Sequence, residues 1–289
     1  MPQTTAADGV TIAYQAWGRG EGTPVILVQG LGADSRGWAL QRRAFGRHHR
    51  CVAPDNRGTG RSDCPPGPYE LLQMADDVVR VLDAEGIDRA HVVGASMGGV
   101  ISQAVGVLYP DRVRSLTLAC TACRHHPWRR ELLAEWAEKV GERGMQALAG
   151  DDLQWLVGAR LQRRFGVWIN LLARILLQTP PESFVAQVEA ILDMSEDLRD
   201  QLVEVTAPTL IITGTQDALT PVGDAEELAE LIPGSRLVLV SGAAHGVMAE
   251  APNAFNAAVL EFLAEVDAAE VDAAEEAAAA KMSRIRTTA

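Results

Sequence analysis

The residues best suited to chemistry lie in Gly94-Ala95-Ser96-Met97-Gly98, a serine with a glycine two positions to either side. The apolar pair Val92-Val93 precedes it, and a helix-like segment from Gly99 follows. A strand ending at Gly94 and a helix starting near Met97 place Ser96 on a turn too tight for large neighbours, with its hydroxyl projecting into a cleft. Chains keep such strain mainly where a side chain is held out for use. The free N–H groups and positive end of the following helix then face any oxyanion formed beside the serine. The chemistry indicated is nucleophilic attack on an acyl carbon.

A serine hydroxyl needs a base, and the base needs an orienting acid. Of the six histidines, only His245 sits in a loop after a late apolar run, in Gly242-Ala243-Ala244-His245-Gly246. His48 and His49 lie in a polar Arg-His-His-Arg run and read as surface residues. His91 opens the strand leading to Ser96, and His125 and His126 read as loop residues before Pro127. For the acid, Asp217 follows the run Leu210–Thr213 among turn residues, at the carboxyl end of a sheet, where open α/β sheets build their sites. Asp55 and Asp63 compete from a Gly/Arg-rich loop, and Asp193 and Asp197 from a helical region. Gln29-Gly30-Leu31-Gly32 follows the run Val25–Val28, and we assign the oxyanion donors to the backbone N–H groups of Leu31 and Met97. An imidazole base works in its neutral form, so activity is expected to fall as pH drops through about 6.5, the ordinary histidine value.

The elements that must position these residues read as short β-branched runs alternating with helices. Val10–Tyr14, Val25–Val28, Val52-Ala53, Ala90–Val93, Val113–Ala119, Thr209–Thr213 and Arg236–Val240 are the candidate strands. Leu71–Glu85, Gly99–Tyr109, Ala225–Leu231 and Ala254–Ala264 are the candidate helices. Runs buried on both faces and separated by helices predict an α/β fold, a mostly parallel central sheet flanked by helices. From about Thr121 to Thr206 the strand signal stops, and an all-helical block inserted between two strands reads as a cap over the sheet's edge. This divides the chain into a core of 1–120 and 207–264, a helical cap of 121–206, and an Ala/Glu-rich tail of 265–289 expected to be solvated. The cap holds Trp128, Trp136, Trp155 and Trp168, read as candidate substrate contacts or as the cap's own core. Its segment Phe165 to Leu177 is apolar nearly all round. It is expected to pack on the main domain, line a pocket or form a subunit contact.

Bulk properties exclude several classes. A formal net charge of −12 argues against a nucleic-acid surface or an anionic membrane. No apolar run reaches the roughly 18–20 residues of a membrane span, and the start lacks a secretory pattern. A soluble, cytoplasmic protein is expected, acting on a small and apolar molecule. The four cysteines include Cys120-Thr121-Ala122-Cys123, but no second pair completes a zinc site. No metal and no cofactor are expected.

On these motifs the chain resembles the α/β-hydrolase family across residues 8–264. The matching pieces are Gln29–Gly32, Asp55-Asn56-Arg57-Gly58-Thr59-Gly60-Arg61-Ser62-Asp63, Gly94–Gly99, Gly214–Asp217 and Gly242–Gly246. Within the family it is most similar to 3-oxoadipate enol-lactonases and cofactor-free haloperoxidase-like hydrolases, also in Gly144–Ala149 and Thr179–Phe184. The resemblance implies the α/β-hydrolase fold and a Ser96–Asp217–His245 triad cleaving an ester or lactone. Gln29 departs from the His-Gly usual before the oxyanion residue. A carbon–carbon hydrolase, a thioesterase, or a non-catalytic receptor on this fold remain as alternatives.

Overall fold

In the computed structural model the structure describes residues 1–176, 178–194 and 196–287, with side chains at 151, 169–176, 196–197 and 273–287 outside the description. Its strands are β1 (Gln3–Thr5), β2 (Thr11–Trp17), β3 (Gly22–Val28), β4 (His49–Pro54), β5 (Ala90–Ala95), β6 (Val113–Ala119), β7 (Thr209–Gly214) and β8 (Arg236–Val240). They form one eight-stranded sheet in the order β1-β2-β4-β3-β5-β6-β7-β8. The pairs β1–β2 and β2–β4 are antiparallel and the rest parallel.

The helices are α1 (Arg42–Phe45), α2 (Leu71–Ala84), α3 (Met97–Leu108), α4 (Pro127–Arg143), α5 (Ala159–Leu176), α6 (Pro181–Leu192), α7 (Glu196–Gln201), α8 (Val222–Leu231), α9 (Val247–Glu250) and α10 (Pro252–Thr287). Strand alternation builds two apolar layers, because successive side chains leave opposite faces of a sheet. Ile26, Val28, Val92, Leu116 and Ile211 pack with α2, α3 and α8 on one face. Val25, Leu27, Val93, Leu210 and Ile212 pack with α1 and α10 on the other. Helices on both faces explain why the central strands carry apolar residues at consecutive positions.

Between β6 and β7 every regular element is helical, α4 to α7 with intervening 3₁₀ turns. The chain past Ala264 continues α10 as one helix to Thr287. Residues 266 and 267 depart from the solvated tail expected of 265–289. Val266 is buried, and the Asp267 carboxylate takes hydrogen bonds from Thr23, His91 and Arg114. Val266 falls on the face of α10 that buries Val259, Phe262 and Leu263, which an Ala/Glu composition alone does not disclose. No helix among the described residues is long and apolar enough to cross a membrane.

Candidate active site

Parallel register brings five loops to one edge. Val28 pairs with Gly94, Ala95 with Ala119, Ala119 with Ile212, and Gly214 with Val240. The loops leaving β3, β5, β6, β7 and β8 at their carboxyl ends therefore converge, and four of them carry Leu31, Ser96, Asp217 and His245.

The turn at Ser96 is as tight as its composition implies. Ser96 has φ 54° and ψ −121°, in the left-handed half of backbone space that a side chain enters only under constraint. A Cβ at Gly94 would lie 2.2 Å from the Gly98 carbonyl oxygen, and one at Gly98 would lie 2.2 Å from that of Val28. Those contacts are why the serine is flanked by glycines. The Ser96 carbonyl is held by the Thr121 hydroxyl at 2.7 Å, and its N–H by Ala119 at 2.9 Å.

Ser96 Oγ lies 3.0 Å from His245 Nε2, and His245 Nδ1 lies 2.9 Å from Asp217 Oδ2. Asp217 is buried and multiply bonded. Its Oδ1 accepts from the N–H groups of Leu219 and Thr220 at 2.9 and 2.8 Å, and its Oδ2 from the Thr220 hydroxyl at 2.7 Å. Burial pushes this carboxyl's pKa up, but the neighbouring His245 and the Thr220 bonds outweigh it and leave it below the ordinary value. The acid is thus held ionised beside the imidazole, which fixes Nδ1 as the protonated nitrogen and leaves Nε2 to accept from the serine.

The structure sends the competing carboxylates elsewhere. Asp55 accepts from the N–H groups of Ser35 and Arg61, and Asp63 from that of Thr11, so both fix loops. Asp193 is exposed beyond α6, and the Asp197 side chain lies outside the described residues. His48 is exposed as expected, but His49 is buried, its Nδ1 2.8 Å from the Thr23 carbonyl oxygen. It begins β4, and a strand start reads as a surface turn when polar residues surround it. His91 lies inside the sheet face with Ser115 and Asp267.

The N–H groups of Leu31 and Met97 have no hydrogen-bond partner among the described residues, and both residues line the cavity over Ser96. The loop carrying Leu31 is gripped from three sides. Asn56 Nδ2 donates to the Gln29 carbonyl, Gln187 Oε1 accepts from the Gly32 N–H at 2.9 Å, and the Thr179 hydroxyl donates to the Gly32 carbonyl at 2.8 Å. The Gln29 amide oxygen itself accepts from the Gly30 N–H at 3.2 Å, so a glutamine braces the turn through its amide. Gln187 and Thr179 escaped the sequence reading, since nothing in their local pattern points to a loop about 150 positions away.

The cavity has a volume of about 230 Å³ and a lining that includes Leu133, Met145, Leu148, Leu156, Phe184 and Met248. Of the four tryptophans expected near a substrate, Trp136 alone lines it. Trp128 and Trp155 stack on each other at 5.9 Å away from the lining, and Trp168 is exposed. Amphipathic helices place an indole by its face, and composition cannot say which face meets the cavity. Phe165, Val167 and Trp168 are all exposed, so this part of α5 neither packs on the core nor lines the cavity. Residues 169–177 of the same apolar segment lie outside the described side chains.

Cys120 and Cys123 are free buried thiols, and burial raises both, Cys123 to about 12. Cys120 lines the cavity with φ 41° directly after β6. Among the described residues, two groups have ligand-type atoms close enough for a metal ion, His49–His91–Asp267 and His126–Asp224–Glu227. Both are knit into the fold by other partners: the first by Thr23, Ser115 and Arg114, the second by Arg129, Arg124 and Arg199.

A strained serine, a neutral-capable imidazole, a buried carboxylate and two free amides at one sheet edge have the composition of a hydrolase site. The chain belongs to the α/β-hydrolase fold family, whose model matches residues 23–252. It is 32% identical over 250 residues to "Putative carbamate hydrolase RutD" of Azorhizobium caulinodans, covering 86% of this chain and 94% of that one. It is 30% identical over 260 residues to 3-oxoadipate enol-lactonase 2 of Acinetobacter baylyi, covering 89% and 94%. The crystal structure of the enol-lactonase from Burkholderia xenovorans LB400 superposes with a TM-score of 0.84 at 32% identity, covering 91% of this chain and all of that one.

Proposed function

We propose that the protein is a serine hydrolase that cleaves a carboxylic ester or lactone through an acyl-enzyme on Ser96. The observation that carries this reading is the unbroken line of hydrogen bonds from Ser96 Oγ through His245 to Asp217. His245 Nε2 takes the hydroxyl proton as Oγ bonds to the acyl carbon. The N–H groups of Leu31 and Met97 receive the oxyanion, and Asp217 balances the imidazolium. Collapse of the tetrahedral species breaks the acyl–oxygen bond, and His245 gives its proton to the leaving alkoxide. Water, deprotonated by His245, then attacks the acyl-serine and releases the acid. The segment 121–206 acts as a cap that closes an apolar chamber over this edge and selects the acyl group.

Wild type is expected to turn over 4-nitrophenyl esters of increasing acyl length many times, with one preferred length set by the chamber. Ser96→Ala is expected to lose at least about 10³-fold of that turnover while melting normally, since it deletes one hydroxyl. Full activity in a folded Ser96→Ala protein would overturn the assignment. A carbamate is the second reading, favoured by the name that the Azorhizobium relative carries. The same triad would take it, and 4-nitrophenyl carbamates run beside the esters separate the two.

A further inference from the structure

The loop that carries His245 is tied to the helical segment between β6 and β7 by a short seam of hydrogen bonds. The Gly246 N–H donates to the Leu156 carbonyl at 2.9 Å. Further along the same segment, the Gly158 N–H donates to both carboxylate oxygens of Glu250, each at 3.2 Å. Glu250 ends α9, the short helix that begins directly after Gly246, and its own N–H returns to the Gly246 carbonyl at 2.8 Å. Gly246, the residue after the histidine, is thus held at its N–H by Leu156 and at its carbonyl by Glu250.

Local chemistry explains why the seam closes at Gly158. This residue precedes α5, and the leading N–H groups of a helix have no partner within it. A carboxylate at that end is favoured by the helix dipole, and Glu250 supplies it from another element. A Cβ at position 158 would lie 2.8 Å from Glu250 Oε2, so glycine is what lets the carboxylate reach the backbone. Gln162 stiffens the same turn from inside, its Nε2 donating to the Leu153 and Val157 carbonyls at 3.0 and 2.7 Å. Burial raises the Glu250 carboxyl above its ordinary value against the N–H groups of Gly158 and Ala244. Asp217 adds to the rise and His245 opposes it, so the group lies within electrostatic reach of both.

We propose that Glu250 is a positioning residue for His245: its carboxylate holds Gly158, Gly158 fixes the Leu156 carbonyl, and that carbonyl holds the residue next to the base. The role rests on the serine-hydrolase reading. Leu153 and Leu156 line the cavity over Ser96, so the wall that meets the acyl group and the loop that carries the base share one seam. A base displaced by about 1 Å can cost 10²-fold in rate, although the change lies outside the reacting atoms. Glu250 therefore acts on the chemical steps and leaves the surface that binds the acyl group in place.

The test combines steady-state turnover of a 4-nitrophenyl ester with backbone hydrogen exchange read by mass spectrometry. Glu250→Ala is expected to lower kcat about tenfold or more, with KM changed by less than about twofold. Glu250→Gln keeps an oxygen acceptor for the Gly158 N–H and is expected to restore most of kcat. Gly158→Ala drives a methyl onto the carboxylate and is expected to lower kcat too. In the Glu250→Ala protein, where that space is open, it is expected to add little. Exchange is followed in the Ser96→Ala background, where no turnover intervenes. There Glu250→Ala is expected to speed exchange in the peptides containing Gly158 and Gly246, and Glu250→Gln to leave it unchanged. A kcat unaffected by Glu250→Ala, a Glu250→Gln protein as slow as Glu250→Ala, a loss carried by KM, or equal exchange in all three proteins each overturns the proposal. Exchange that responds as expected without Ser96-dependent turnover would keep the seam and remove the hydrolase reading; Ser96-dependent turnover that ignores Glu250 would do the reverse.

Discussion

At the scale of single residues, the site is a matter of which protons are held where. Asp217 is kept ionised by His245 and Thr220 against the pull of burial, which supports the proposed role of orientation and charge balance. Asp217→Asn keeps the shape but allows the wrong imidazole tautomer, and kcat is expected to fall by about 10³-fold or more in steady-state assays. His125 provides a pH dependence that is separate from catalysis. Its folded pKa, about 3, lies below the ordinary value of about 6.5. In that window the unfolded chain binds a proton that the folded one does not, so stability falls as pH drops. Between pH 7 and pH 5 the loss attributable to this ring is about 2 kcal/mol. Denaturant unfolding of His125→Gln at both pH values is expected to show a smaller loss than wild type. An identical loss would place the ring in water.

At the scale of elements, the strand–turn–helix around Ser96 is legible in sequence because its constraints are short-range. Gly94, Ser96 and Gly98 are neighbours in the chain, and their close packing follows from residue size. Gly94→Ala would put a methyl against the Gly98 carbonyl and the Ser102 hydroxyl, and is expected to destabilise by about 2 kcal/mol or more in thermal melts. The loop bearing Leu31 was legible in its glycines and not in its supports. Gln187 bonds both the Gly32 N–H and, through Nε2, the Arg57 carbonyl at 2.9 Å. Gln187→Leu leaves both backbone groups unpaired. It is expected to lower kcat about tenfold with a smaller change in KM, because the loop positions one of the two proposed oxyanion donors. The cap tryptophans mark the other limit: their number announced a packed helical block, but only the helix phase decides that Trp136 faces the cavity.

At the scale of the whole molecule, alternating runs were enough to read a mostly parallel sheet with an all-helical segment between β6 and β7. The short antiparallel strand β1 was missed, since three polar-rich residues carry no periodicity. The chain's end was misread for a related reason. Asp267 lies 244 positions from Thr23 and 176 from His91, and joins the last helix to the amino ends of the central strands. Ending the chain after Ala264 deletes that carboxylate and buried Val266, while ending it after Asp272 keeps both. The shorter protein is expected to lose about 2–4 kcal/mol relative to the longer one by urea denaturation. Equal stability would make residues 265–272 dispensable to the core.

The measurement that bears most directly on the central claim is the intact mass of the protein quenched milliseconds after mixing with a 4-nitrophenyl ester. An added acyl mass that maps to the peptide containing Ser96, decays as acid is released, and is absent from Ser96→Ala is the predicted result. Turnover with no acyl-protein at any time, or an acyl group mapped to another residue, would contradict the account.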